Sequence, residues 1–314
     1  MANNSLIQKI FSMSPYIEIL SRKIYWKNVG RLHGKSKKSR KNNQDENTPV
    51  NFDAISKFLY SNGAKRDGLL LVHSAFGPLK GRGKTADQII DFFLDIVGPG
   101  GTLAMPAMPK FKNAIKKEDY LKPSDSDVIY EYDVKKSKIK TGVLPLMLHK
   151  RKESKRSRFP INTMVALGPL AEKLFQGNLE GESPLACGVN SAWKRCVDND
   201  ALIVGFGTDL THSLTAIHVA EDVQDQAWPV KKWYIEKKFR ITDDEFSELR
   251  VLRERAPQWG ALHFAERTLC RDLMSEGILR STEIDGVLVE VIKSKELIKY
   301  LNKRNHKGYP YYGV

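Results

Sequence analysis

The sequence predicts an α/β protein in which helices cover both faces of a sheet. Short apolar runs punctuated by glycine or proline recur at residues 68–74, 102–106, 164–168, 201–207 and 286–292. Apolar runs without polar alternation mark strands buried on both sides. Segments between them repeat apolar residues every three or four positions, the period of an amphipathic helix. At 314 residues and 41% hydrophobic content, the chain can bury one large core or two smaller ones.

In chain order, Leu6, Ile10, Met13, Ile17, Leu20 and Ile24 form a helical stripe, interrupted at Ser14 and Pro15. Lys9, Arg22, Lys23 and Lys27 flank it and Tyr25 and Trp26 close it, a pattern suited to a membrane surface or a partner subunit. Residues 35–47 contain no apolar side chain and read as a linker. The chain therefore divides into a basic amphipathic arm and linker (1–47) and an α/β domain (48–314). That domain opens with Phe52, Ile55, Phe58 and Leu59 on one helical face, ended at Asn62 and Gly63. The run at 68–74 delivers His73 and Ser74 to the end of a strand, and a loop with Gly77, Gly81 and Gly83 follows. Thr85 and Gln88 have capping-box spacing for the next helix, whose N-terminus is open to anionic oxygens. Residues 107–140 read as a polar, basic excursion over the sheet edge. Residues 141–148 and 169–175 read as short helices, the second with Pro169 at its first position. Beyond residue 222 come an alternating run at 233–241 and helical segments near 243–255, 260–275 and 294–303.

Charge is unevenly spread. Residues 1–50 carry ten Lys/Arg against three Asp/Glu, half of the net +14, and residues 108–158 carry fifteen against seven. Such clusters suit phosphates, a membrane surface or nucleic acid, but no nucleic-acid motif accompanies them and aromatics do not interleave, which removes that partner. Gly83, Lys84 and Thr85 imitate the end of a phosphate loop. The preceding glycine, Gly77, leaves five intervening residues where that loop has four, so nucleotide hydrolysis is set aside. Cys187, Cys196 and Cys270 are odd in number and lack metal spacing, which favours a reduced, cytoplasmic setting without a metal. No apolar run reaches the length of a membrane span, and no signal-peptide pattern opens the chain.

A helix predicted to start within residues 208–211, capped by Thr208, Asp209 or Thr211, puts Leu214, Ile217 and Ala220 on one side and His218, Glu221 and Asp222 together. A histidine there, just past a buried strand, lies where α/β proteins open ligand crevices. A carboxylate three or four residues on can fix its tautomer. The same spacing also suits an ordinary surface histidine. His263 and Glu266 repeat the spacing and read as helix surface, with no third ligand for a metal.

Four pieces in order resemble the aminoglycoside 3-N-acetyltransferase family over roughly residues 50–300. They are Val72-His73-Ser74 with its glycine loop; Gly98-Pro99, Gly101-Thr102 and Met105-Pro106; Arg156-Ser157 and Pro160 leading to Gly168-Pro169-Leu170-Ala171; and Thr215-Ala216-Ile217-His218 with Glu221. The resemblance implies one large domain around a central mixed β-sheet flanked by helices, acetyl-CoA as co-substrate, and acetyl transfer to an amine of an amino sugar. It implies His218 as general base, Glu221 as its orienting carboxylate with Asp222 in competition, and donors around His73 and Ser74 for the oxyanion. CoA would be received by His73, Ser74, Ala75, Lys80, Gly81, Arg82, Gly83, Lys84 and Thr85. Arg156, Phe159, Thr215 and Asp222 would receive the acceptor. The chain departs from the family pattern at Phe159, where the family has histidine before the proline. Aminoglycosides are polycations and residues 108–158 are basic, so a phosphate-bearing amino sugar is expected, nucleotide- or lipid-linked, as in surface-polysaccharide synthesis. An aminoglycoside acetyltransferase proper and a catalytically altered binding protein are the alternatives. Peripheral membrane contact through the arm and a homo-oligomer complete the expected partners.

Overall fold

In the computed structural model, residues 10, 13–29, 48–112, 119–122, 127–223, 228, 234–244 and 246–313 are described. Leu6, Lys9, the linker at 35–47 and Trp233 lie outside them. The elements are α1 (Pro15–Lys27), α2 (Phe52–Ser61), β1 (Leu69–Ser74), α3 (Ala86–Val97), β2 (Thr102–Pro106), β3 (Ile129–Asp133) and α4 (Val143–His149). Then follow β4 (Lys155–Arg156), β5 (Met164–Leu167), α5 (Ala171–Phe175), α6 (Ala192–Asp198), β6 (Leu202–Phe206) and α7 (His218–Val223). The chain continues through β7 (Tyr234–Thr242), β8 (Ser247–Arg255), α8 (Glu266–Ser275), β9 (Leu279–Ile284), β10 (Val287–Lys293) and α9 (Ser294–His306).

Seven strands form one mixed sheet in the order β4-β5-β2-β1-β6-β10-β9. Its centre, β2-β1-β6, is parallel, and the strands outside it join antiparallel. This matches the expected mixed sheet. Alternation along the central strands builds two cores. Leu70, Val72, Leu103, Met105, Val204 and Phe206 pack with Ile55 and Leu59 of α2 and Ile89, Ile90 and Phe93 of α3. On the other face Leu69, Leu71, Ala104 and Ile203 pack with Trp193 of α6, Leu269 of α8 and Leu297 of α9. Because both faces are covered, these strands read as unbroken apolar runs. The capping box at Thr85 and Gln88 is present in both directions, and Gly98 ends α3 at φ 69°. β1 has β2 on one side and β6 on the other, so a crevice opens at the carboxyl ends of β1 and β6.

Several expectations need correction. The excursion at 107–140 contains β3, which pairs parallel with β7 in a second, three-stranded sheet with β8. Residues 247–255 are a strand, not a helix: β7 and β8 form a nine-residue antiparallel ladder. Their many Glu, Arg and Lys favour helix locally, but here they pair across strands, as Lys237 does with Glu254. β9 went unpredicted. Pro169 precedes α5, which starts at Ala171, and the N–H of Leu170 donates to Thr102 Oγ1 at 3.0 Å.

The arm's apolar stripe faces outward: on α1 Leu20 is 60% and Ile24 56% exposed, and Met13, just ahead of the helix, is 66% exposed. The helix docks by its polar side. Helix α8 begins at Ala265, which has no side chain to cap it. The Glu18 carboxylate supplies that cap, accepting from the N–H groups of Arg267 and Thr268 and from Thr268 Oγ1, each at 2.9 Å. Arg22 donates to Gly260 O at 3.3 Å and pairs with Glu266. Ile19 is 5% exposed and touches the C-terminal segment at Gly313. The arm's helix is thus tied to the α/β body by the elements beside the crevice.

Candidate active site

The chain leaves β6 through Gly207, whose φ of 68° and absence of a side chain are both required, since a Cβ there would meet Ala75 O at 2.5 Å. No helix starts at 208–211 as expected. Asp209 Oδ1 accepts the N–H of Thr211 at 3.1 Å, a local turn that competes with helix. The N–H of Leu210 is taken by Glu290 Oε2 at 2.7 Å. A 3₁₀ turn at Thr215–Ile217 follows, and α7 begins at His218 itself.

His218 Nδ1 meets Glu221 Oε2 at 2.6 Å, which assigns that proton to Nδ1 and leaves Nε2 as the basic nitrogen. Glu221 is buried, its side chain 1% exposed. Tyr312 donates to its other oxygen at 2.7 Å, and Arg255 Nε lies 3.1 Å from Oε2. Burial pushes the Glu221 carboxyl up, but the charges of His218 and Arg255 and the hydrogen bonds from His218 and Tyr312 outweigh it. The carboxyl therefore sits below its usual range. Burial and the Glu221 charge hold the Tyr312 hydroxyl well above a normal phenol, so it stays a donor.

Asp222, the competing carboxylate, is engaged elsewhere. It accepts from Cys187 N at 3.0 Å and Tyr234 Oη at 2.6 Å, and pairs with Arg255. Glu221 is therefore the partner of His218. Arg255 bridges both carboxylates and donates to His218 O at 3.3 Å, locking the start of α7. Sequence reasoning missed Arg255, Tyr234 and Tyr312. The tyrosine cluster at 309–312 was a visible signal, whereas Arg255 had none.

These groups border a cavity of about 250 Å³, lined among others by Thr215, His218, Asp222, Tyr234, Trp259 and Tyr312. Thr215 and Asp222 thus line the same cavity as His218. A second histidine, His212, also lines it and pairs with Glu266. Glu266 is therefore not ordinary helix surface, while its expected neighbour His263 turns its Nδ1 to Gly313 O. Among the described residues no group of histidine, cysteine or carboxylate side chains could hold a metal.

Other expected site residues lie elsewhere. Arg156 is 6% exposed, and its guanidinium donates to Val134 O, Ser137 O and Ala107 O at 3.2, 2.7 and 2.9 Å. It clamps the 107–140 excursion and does not border the cavity. Phe159 is 4% exposed in the core, and the nearby Ile161 and Asn162 face the cavity instead. Among the described residues the cavity's charged lining is Asp222, Glu254, Glu266, Arg253 and Arg255, together with two histidines, and it includes no Lys or Arg from 108–158.

At the end of β1, His73 is buried, its Nε2 meets no hydrogen-bond partner, and burial lowers its pKa to about 4. Ser74 and Ala75 are half-buried. The N–H of Ala75 already donates to Phe206 O at 2.9 Å, which removes it from the expected oxyanion donors here. None of these three lines the cavity. In the loop, Arg82 is spent on Thr48 O, Pro78 O and Asp285 O, and Lys84 lies 5.2 Å from the centre of the Phe52 ring. The capping box occupies Thr85 N and Gln88 N, donors that a phosphate on α3 would need. Arg82 and Lys84 thus hold the loop, with Gly81 at φ 77° and Gly83 at φ 104° shaping it, and Lys80 is exposed.

Comparison with known proteins adds three findings. The family described as aminoglycoside 3-N-acetyltransferase matches residues 71–304. The chain is 30% identical over 193 residues to aminoglycoside N(3)-acetyltransferase III of Salmonella sp, and equally to those of Enterobacter cloacae and Acinetobacter baumannii. Each match takes in 57% of this chain and 62% of the relative, less than two thirds of its length. AAC-IIIb, solved as a binary complex with CoASH, superposes with a TM-score of 0.68 at 21% identity, covering 83% of this chain and 97% of that one. Aminoglycoside acetyltransferase AAC(3)-Xa gives 0.67 at 20% identity, over 85% and 95%. At such identity these two structures speak for the fold.

Proposed function

Because the chain belongs to the aminoglycoside 3-N-acetyltransferase family, we propose that it is an acetyl-CoA-dependent N-acetyltransferase acting on an amine of an aminoglycoside-type amino sugar. The observation that carries this reading is the His218–Glu221 pair, 2.6 Å apart, with His218 bordering the cavity and Glu221 braced by Tyr312 and Arg255. The relatives' names favour an aminoglycoside over the phosphate-bearing sugar suggested by the basic stretch. The cavity gives no reason against a cationic acceptor, since Asp222, Glu254 and Glu266 share its lining with Arg253 and Arg255.

Acetyl-CoA supplies an acetyl group on a thioester, which an ammonium cannot attack. The acceptor sheds its ammonium proton to solvent, and His218 Nε2 takes a second proton from the neutral amine as the C–N bond forms. Glu221 keeps Nδ1 protonated and balances the imidazolium that results. The same proton then goes from Nε2 to the departing CoA sulfur as the C–S bond breaks. The Ser74 hydroxyl is our candidate donor for the oxyanion, a contribution worth about 3 kcal/mol where geometry is good. His73 Nε2, buried without a protein partner at the end of β1, fits a polar group of the co-substrate, and Lys80 remains for its phosphates.

The test is thiol release from acetyl-CoA in the presence of aminoglycosides and, separately, of nucleotide-linked amino sugars. Release that depends on an aminoglycoside is the expected result. Release with the nucleotide-linked sugars alone would overturn the acceptor. Tight binding of an amino sugar without any release would make the chain a binding protein.

A further inference from the structure

We propose that the outward face of α1 docks on an anionic lipid bilayer. Tyr16, Ile17, Leu20 and Ile24 recur at helical spacing along it, with Tyr16 82% exposed and the exposed Met13 just ahead of the helix. A contiguous apolar face of this kind is uncommon on the surface of a soluble domain and marks a contact surface. The structure gives the reason it faces outward: the helix is fixed by Glu18, Ile19 and Arg22, and capping α8 with Glu18 commits the opposite side to the body.

Charge selects the occupant. Glu18 is the one carboxylate in the helix sequence, and it is buried, 2% exposed, against Arg22 and the start of α8. The outward side therefore presents Lys23 and Lys27, both exposed, and no acid. The sequence beyond the helix continues with Arg31, Lys35, Lys37, Lys38, Arg40 and Lys41. An apolar stripe edged by cations, with interfacial Tyr16 and Tyr25, suits the boundary between headgroups and acyl chains. A second copy of the same face would bring Lys23 and Lys27 against their own kind. No helix among the described residues is long and apolar enough to cross a membrane, so the contact is peripheral. The inner side of the helix adjoins the cavity, because Arg22 holds Gly260 and Glu266, which line it.

The test is sedimentation of the full chain with vesicles of phosphatidylcholine alone and of equal parts phosphatidylcholine and phosphatidylglycerol. Binding is expected to the mixed vesicles and to weaken as salt rises. Lys23→Gln with Lys27→Gln should weaken it about 30-fold, from the roughly fivefold that each basic residue contributes near an anionic surface. Leu20→Glu with Ile24→Glu should abolish it while leaving the melting temperature unchanged, because both side chains face outward. Absence of binding to mixed vesicles would overturn the proposal, as would binding that survives Leu20→Glu with Ile24→Glu. Self-association that this pair of substitutions removes, without vesicle binding, would assign the face to a second copy.

Discussion

His218 and His212 line the same cavity and each meets a glutamate, yet their surroundings differ. His218 is held to a carboxylate that is 1% exposed and has two further partners, Tyr312 and Arg255. The His212 side chain is half exposed, and its Glu266 is shared with Arg22 while its Nε2 lies 2.9 Å from Arg267. A buried, fully partnered carboxylate fixes one tautomer and one ring orientation. At His212 the Glu266 carboxylate is shared with Arg22, the imidazole is half exposed to screening water, and the Arg267 guanidinium already occupies Nε2, so no basic nitrogen is left for a substrate proton. The contrast separates a histidine built for proton transfer from one that trims a surface network. Adjacency to a carboxylate is not enough to tell them apart.

The largest effect should follow from removing the first imidazole. His218→Ala is expected to lower kcat by at least ~100-fold, the low end for general base catalysis, with the melting temperature little changed. Turnover near that of the unaltered protein would transfer the role elsewhere. Tyr312→Phe takes away one of three partners of Glu221, and steady-state kinetics should show a loss of about fivefold in kcat. A loss as large as that of His218→Ala would mean the tyrosine itself touches the reacting groups.

A third histidine sharpens the contrast through stability. Burial holds His73 at about 4, below its ordinary 6.5, so between these values the unfolded chain binds a proton that the folded chain refuses. The stability tied to this group is full above about 6.5 and is lost as pH falls towards 4. His73→Phe should flatten the fall in urea-unfolding stability across that window by the equivalent of one proton, and an unaltered slope would place the proton uptake elsewhere. The smallest effect belongs to His212→Ala, which should leave turnover within about twofold, as expected for an exposed pair.

Much of the fold was legible because its central strands are covered on both faces, so that residues 69–74, 102–106 and 202–206 announce themselves as apolar runs. The β7–β8 ladder was not, since its Arg and Glu look helical until β3 and the cross-strand partners are in place. The arm shows the same limit. Its apolar stripe was plain, but which side faces the body depends on Glu18 capping a helix whose Arg267 N–H lies 249 residues away. At the site, the His218–Glu221 spacing could be read within one turn of helix. Tyr312, 91 residues from Glu221, could not. The resemblance implied Arg156 as a residue for the acceptor, and its structural task was not legible because its three carbonyl partners come from segments that local pattern does not connect.

The central claim is that Glu221 acts through His218. The direct measurement is a double-mutant cycle on kcat for acetyl transfer with His218→Ala, Glu221→Gln and the two combined. Glu221→Gln alone should lose about 10- to 100-fold, the worth of a hydrogen bond to a charged group. The combined variant should be no slower than His218→Ala, because a carboxylate that works through the imidazole has nothing to act on once the ring is gone. Losses that multiply would contradict the account and give Glu221 a role of its own.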